Sequence, residues 1–331
     1  MGKNLFLVGC GQLGSRHLQA IATLQGVSEI TVIDPRPAAL ELGRQRLGEI
    51  PDINKSINFR WLTEMENKPA EADFCIIATQ AKGRSQLVRD IHNKLGCRRF
   101  LIEKIVTQSV AEYEGLLEFC HKRSLSVWVN CKTRTYLLHR YIKSRMPEAE
   151  SLVFSASGGN YGLGNNGVHA ADLFVFYSGA GHIESRGSRI DQMLHPSKRG
   201  NDIFDLSGTL HGISENNSEF ILNFAPFNQS PDTITILSKN CRFLVDHFQK
   251  TALESYAENN WQWQKINDAH VMEDWAVSHM TKAFAGDIIS SGNCLLPTLK
   301  DCFPAHRFIL NELLPHFNRL LGVNNDYCPV T

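Results

Sequence analysis

The sequence predicts an α/β chain in which a doubly wound parallel sheet is followed by an α+β unit on a mostly antiparallel, open sheet. Three observations carry that expectation. Short apolar runs alternate with helical stretches from residue 1 to about 125, the pattern of parallel strands joined by crossover helices. A glycine-rich turn joins the first of those strands to the first helix. Beyond it the texture changes to longer β-like runs separated by polar turns, which suits antiparallel pairing. At 331 residues the chain exceeds what one hydrophobic core usually supports, so units over 1–125 and 126–331 are expected.

The elements follow in order. Leu5 to Val8 is an apolar run that reads as a buried strand, and Ser15 to Ile21 reads as a helix. Between them, Gly9-Cys10-Gly11-Gln12-Leu13-Gly14 has the spacing G-x-G-x-x-G. The first glycine permits the tight turn, the second lets a pyrophosphate approach the backbone, and the third lets helix and strand pack closely. That spacing alone is a weak signal; its place after a strand and before a helix is what makes it specific. A second strand, Glu29 to Ile33, ends in Asp34, where a carboxylate would hold the ribose 2′-hydroxyl. A dinucleotide is therefore expected on Gly9, Gly11, Gln12, Leu13, Gly14 and Asp34. A carboxylate there repels a 2′-phosphate, so NAD is expected over NADP, with Arg36 as the residue that would meet a phosphate instead.

A helix from Ala38 to Leu47 and a strand from Asn58 to Leu62 come next. Asp73 to Thr79 forms a buried strand, and Thr79 at its end is a further cofactor contact. The strand Arg99 to Ile102 runs into Glu103-Lys104, followed by a helix from Val110 to Arg123 and a strand from Leu125 to Val129. Lys132 and Arg134 then alternate with Thr133, so they face one way if that strand continues. A basic helix to Arg145, a strand from Leu152 to Ala156 and the glycine-rich stretch Gly158 to Gly167 lead into a helix bearing His169 and Asp172. The runs Phe204 to Ile213, Glu219 to Ala225, Thr233 to Leu237 and Arg242 to Phe248 read as strands. Helices over His270 to Ile289 and Pro297 to Leu321 close the chain.

Composition excludes several classes. The formal net charge is zero, which gives a nucleic-acid or anionic-membrane partner no electrostatic support. No apolar run approaches the roughly twenty residues of a membrane span. The first strand begins too early for a signal peptide to precede it. The nine cysteines include no C-x-x-C pair and read as reduced core residues. A cytoplasmic protein is expected.

Three motifs in order resemble the glucose–fructose oxidoreductase/inositol dehydrogenase (Gfo/Idh/MocA) family. The glycine loop followed by Arg16-His17 is similar to the family's G-x-G-x-x-G-x-x-H opening. Glu103-Lys104 resembles its Glu-Lys-Pro, and Gly167-Val168-His169-Ala170-Ala171-Asp172 resembles its Asp-x-Gly-x-His-x-x-Asp. Leu296 to Asp301 matches a stretch before the last family helix. The resemblance implies a sugar-handling oxidoreductase, in which the helix face of His169 and Asp172 closes over the nicotinamide opposite Lys104. It also implies sugar contacts from Lys132, Arg134, Tyr161 and Asn165, and a homodimer or homotetramer.

The chemistry of the residues agrees. Moving a hydride from a carbinol carbon to nicotinamide requires a group for the hydroxyl proton. Lys104, at a strand's carboxyl end, stands where nicotinamide and substrate meet in such sheets. His169 and Asp172 are three apart on one helix face, so His169 is expected to handle the proton together with Lys104, and Asp172 to orient His169 or hold a neighbouring hydroxyl. Lys132 and Arg134 would suit an anionic sugar such as a uronate or nucleotide sugar. No second ligand cluster stands near His169, so no metal is expected. Glu103 is assigned to the loop around Lys104 rather than to proton transfer.

The departures matter too. Ile105 replaces the family's proline, which is often cis; Asn165 replaces an aspartate; Arg84 stands where many members carry a histidine. An amide binds a hydroxyl but cannot take its proton. Two other functions therefore stand beside a dehydrogenase or reductase: a lyase or glycosidase using transient oxidation by held NAD, and an NAD-binding sensor whose chemistry has lapsed.

Overall fold

The structure of the protein, a computed structural model, describes residues 2–66, 71–146, 150–159, 162–273 and 275–331. The chain forms two compact units: Met1–Thr107, Ala111–Lys132 and Asp274–Lys300 in the first, and Gln108–Val110, Thr133–Glu273 and Asp301–Thr331 in the second. Position 125 thus falls inside the first unit, which also takes back a C-terminal segment. No helix among the described residues is long and apolar enough to cross a membrane.

In the first unit the elements are β1 (Lys3–Val8), α1 (Gly14–Ile21), β2 (Val27–Ile33), α2 (Pro37–Gly48), β3 (Asn58–Leu62), β4 (Phe74–Ile77), α3 (Arg84–Leu95), β5 (Arg99–Ile102), α4 (Val110–Arg123) and β6 (Ser126–Val129). The six strands are parallel and lie in the order β3-β2-β1-β4-β5-β6. Leu5, Phe6, Leu7 and Val8 are all buried, as expected where helices cover both faces of a parallel sheet. The strand order reverses between β1 and β4, which opens a crevice at the carboxyl ends of the strands. A helix over Val277–Ser291, contributed by the returning segment, packs on α1.

The second unit continues with α5 (Leu137–Arg145), β7 (Val153–Gly158), α6 (Gly167–Ser178), β8 (Ile183–Ser185), β9 (Arg189–Ile190), β10 (His195–Pro196), β11 (Phe204–Asp205), β12 (Gly208–Ser214), β13 (Glu219–Phe224), β14 (Thr233–Leu237), β15 (Cys241–Asp246), β16 (Thr251–Tyr256) and β17 (Gln264–Lys265). Its main sheet runs β17-β16-β15-β14-β7-β13-β12-β8, with β9 also on β12. Among its described strands only β7 and β13 pair in parallel. Alternate residues turn one face inward, where Phe154, Phe174 and Phe220 cluster with centroids 5.4–6.4 Å apart and Phe308 meets Phe220 edge-on at 5.6 Å.

Three local expectations are corrected. Phe204 to Ile213 is not one strand: Gly208 has φ +127, and a Cβ there would lie 2.3 Å from the Arg189 carbonyl oxygen, so the chain bends between β11 and β12. The helix expected from His270 to Ile289 is two pieces, Asp268–Val271 and Val277–Ser291, because the chain passes from one unit to the other after Glu273. The Lys132–Thr135 segment is a 3-10 turn rather than a continuing strand. At three residues per turn, positions two apart do not share a face, so Lys132 and Arg134 diverge.

Candidate active site

The glycine loop separates into two kinds of glycine. Gly9 has φ +88, and a Cβ on it would lie 2.9 Å from the Ala78 carbonyl carbon; a Cβ on Gly14 would lie 1.9 Å from the Gly9 oxygen. Both are required by the protein's own packing. A Cβ on Gly11 would meet only the Arg36 Nη2, at 3.4 Å. No constraint of the fold explains that glycine, but a close-lying pyrophosphate does. The dipole at the start of α1 favours an anion there. Arg46 braces the turn from α2, donating to the Gln12 carbonyl at 2.5 Å, to Ser15 Oγ at 2.6 Å and to Gln12 Oε1.

Asp34, buried at the end of β2, accepts the Cys10 N–H at 2.8 Å and the Arg36 N–H at 3.0 Å. The Arg36 guanidinium folds back on the same carboxylate, with both contacts at 3.2 Å. Burial alone would raise the Asp34 carboxyl; the hydrogen bonds from Arg36 and Cys10 hold it below its ordinary value. Asp34 and Arg36 therefore act as one ionic unit beside Gly11.

Three strand ends meet at the crevice: Gly9 after β1, Thr79 after β4, and Glu103-Lys104 after β5. The Lys104–Ile105 peptide is cis. Two buried devices hold this edge. Glu103 Oε1 is 2.8 Å from His17 Nε2 and accepts the Asn130 amide at 2.7 Å, while His17 Nδ1 is 2.8 Å from Thr281 Oγ1. Burial would raise the Glu103 carboxyl, but His17, Asn130 and the charge of Arg84 keep it lowered. The Arg84 guanidinium, itself buried, donates to the carbonyls of Thr79, Glu103 (2.7 Å), Ile105 and Val106 (3.3 Å). Arg84 thus binds main-chain oxygens on both sides of Lys104. Its clamp needs tertiary proximity and left no mark in the sequence beyond a departure from the family pattern.

In the second unit His169 lines a cavity of about 160 Å³ with Thr133, Asn166, Ala170, Leu173, Phe224, Asp232, Ile234 and His247. Asp232 and His247 carried no recognisable signal in the sequence, since strand pairing alone brings them to α6. Asp172 is not in this cavity, and the expectation that it orients His169 is corrected. It is buried, and its carboxylate is held by the Arg134 guanidinium, with Nε to Oδ2 at 2.7 Å and Nη2 on Oδ1, while Cys302 Sγ lies 3.3 Å from Oδ1. Arg134 is thereby committed to Asp172, and the Lys132 ammonium donates to the Trp275 carbonyl. Neither cation is arranged as the expected exposed anion-binding pair. Asn165 lines a different cavity, of about 490 Å³, with His195, Lys198 and Asp205, and its N–H is bound by Asp205 at 2.9 Å. Tyr161 lies outside the described residues.

Residues 3–131 match the family described as "Oxidoreductase family, NAD-binding Rossmann fold" (Gfo/Idh/MocA). The fold of the whole chain is shared with solved structures at low identity. An oxidoreductase from Agrobacterium radiobacter, in complex with NAD+, L-tartaric acid and magnesium, has a TM-score of 0.70 at 15% identity over 93% of this chain and 94% of its own. UDP-N-acetylglucosamine 3-dehydrogenase from Acidithiobacillus ferrooxidans gives 0.66 at 16%, over 95% and 96%. A levoglucosan dehydrogenase in complex with NADH and levoglucosan gives 0.74 at 12%, over 97% and 98%. No curated protein sequence matches the chain.

Proposed function

We propose that the protein is an NAD-dependent dehydrogenase or reductase of a sugar or sugar derivative. The observation that carries this reading is Lys104 at the carboxyl end of β5, on the crevice whose glycine loop leaves Gly11 open. Bound nicotinamide supplies the hydride acceptor or donor. Gly11 and the start of α1 hold the pyrophosphate, Asp34 the adenosine ribose, and Thr79 and Glu103 border the cofactor at their strand ends. Lys104 takes the proton of the carbinol hydroxyl in oxidation and returns it in reduction. His169 holds a substrate hydroxyl in the second unit's cavity. There Asn166, Thr133 and Asp232 offer polar groups, and Leu173, Phe224 and Ile234 an apolar wall, a combination that suits the hydroxyl and C–H faces of a sugar. Asp172 and Arg134 position the helix that bears His169. The open sheet face, with Ile213, Ile221, Leu244 and Leu253 half-buried, is proposed as a contact between copies.

The test is a nicotinamide absorbance assay with a panel of sugars, sugar acids and nucleotide sugars. One cofactor reduced or oxidised per sugar converted is expected. Product formed with no net change in cofactor would replace this reading with the transient-oxidation lyase or glycosidase. Tight NAD binding with no turnover across the panel would replace it with the sensor.

Cofactor choice has its own test. With Asp34 at the ribose, NADH is expected to bind more tightly than NADPH, and Asp34→Ala to narrow the gap. Calorimetry in which wild type prefers NADPH would move the assignment to Arg36, which already stands beside Gly11.

A further inference from the structure

Arg84, the first residue of α3, is among the largest fully enclosed side chains of the protein, at 1% exposure. Two costs attend that placement. Burying a guanidinium is expensive unless its N–H groups are used, and a cation at the start of a helix is opposed by the helix dipole. What offsets them is a fork between two strand ends. Nη2 donates to the carbonyl of Thr79, just past β4, and Nη1 to those of Glu103, Ile105 and Val106, just past β5.

The acceptors bracket the proton group. Glu103 and Ile105 stand on either side of Lys104, so the main chain is tied immediately before and immediately after that residue. The Glu103 side chain is held as well, by His17 and Asn130, and Lys104 is thus rooted in a fixed segment. The other arm of the fork reaches the glycine turn. A Cβ on Gly9 would lie 2.9 Å from the Ala78 carbonyl carbon and 3.0 Å from the Thr79 nitrogen, so the end of β4 packs directly against that turn. A guanidinium is planar and rigid, and its two terminal nitrogens therefore fix how far the Thr79 carbonyl stands from those around Lys104. An ammonium, a point charge on a flexible stem, cannot span both sets in the same way.

We propose that Arg84 is a positioning residue for the reaction. It sets the spacing between the β4 end, which borders the cofactor, and the β5 segment that carries Lys104. Arg84 contacts neither substrate nor cofactor in this role and acts through Lys104. This rests on the reading of Lys104 as the proton carrier. Proton and hydride leave the same carbinol group, so the side chain that takes one and the ring that takes the other must be held in register. A misplacement of about 1 Å can cost about 10²-fold in rate.

The test is a double-variant cycle of Arg84→Lys and Lys104→Ala in the full-length protein, read by steady-state kinetics with NAD+. The sugar is whichever of levoglucosan, UDP-N-acetylglucosamine, D-glucuronate and the rest of the panel above is converted fastest. Arg84→Lys keeps the cation and loses the fork. It is expected to lower kcat by about 10–100-fold, with KM for the sugar and affinity for NADH close to wild type. Arg84→Gln, which keeps an amide donor without the charge, is expected to fall at least as far. In the Lys104→Ala background, Arg84→Lys is expected to change kcat by less than about twofold, because the group it positions is already gone. An equal loss with and without Lys104 overturns the proposal, since Arg84 would then support the site as a whole. Wild-type kcat in Arg84→Lys, a change in KM alone, or failure of both Arg84 variants to fold overturns it too. Wild-type turnover by Lys104→Ala is a separate failure, which removes the proton carrier and the proposal with it. If no sugar of the panel is turned over, the proposal falls together with the enzyme reading.

Discussion

Gly11→Val is expected to abolish NAD binding while the protein folds and melts like wild type. The separation is possible because a Cβ at this position meets only the mobile end of Arg36, at 3.4 Å, and Gly11 is absent from the glycines with positive φ. A valine therefore costs the empty protein little. A bound pyrophosphate would occupy the same space, held by backbone N–H groups that cannot move aside. Overpacking costs about 1–3 kcal/mol where neighbours can yield, so against a fixed anion Kd for NADH is expected to rise about 100-fold or more. Gly14→Ala is the contrasting control. Its Cβ would sit 1.9 Å from the Gly9 oxygen, and it is expected to lower the melting temperature as well as binding. Calorimetry with NADH and thermal unfolding by circular dichroism read the two effects apart. NADH binding to Gly11→Val at wild-type affinity would remove the glycine loop from the cofactor site.

Lys104→Ala is expected to lower turnover by about 10²–10⁴-fold, the usual worth of a positioned acid–base group, and His169→Ala to lower kcat/KM by about tenfold, the worth of one good hydrogen bond. NAD affinity should change little, because neither residue belongs to the glycine loop or the Asp34 unit. The two variants should differ in kind. Lys104→Ala removes the proton carrier and should act on kcat. His169→Ala removes a substrate contact and should raise KM as well. Steady-state kinetics on the sugar with highest turnover would check both. Wild-type rates from both alanine variants would place the proton elsewhere.

Much of the first unit was legible because its signals are local. The strands Asn58–Leu62 and Arg99–Ile102 and the helix Val110–Arg123 were read with the bounds the structure shows. A strand buried on both faces must be continuously apolar, and a tight strand-to-helix turn must carry glycine where φ is positive. Gly9 could be justified from the chain alone for that reason. Less of the second unit was legible. The strand read from Phe204 to Ile213 breaks because Gly208 passes against the Arg189 carbonyl, a neighbour distant enough in sequence to leave no periodic trace.

The candidate site divides along the same line. By itself the sequence determined the dinucleotide crevice, the carboxylate of Asp34 and the placing of Lys104 at a strand end, since each depends on residues within one βα turn. Only the tertiary structure decided the partners. Arg134 and Asp172, separated by 38 residues, neutralise each other in a buried pair, so neither is the exposed group its spacing suggested. Arg84 turns from a departure into a clamp on the carbonyls flanking Lys104, and His247 reaches the cavity of His169 through strand pairing. Charge and spacing show which groups a chain carries; burial decides which of them must be satisfied internally and which remain for a substrate.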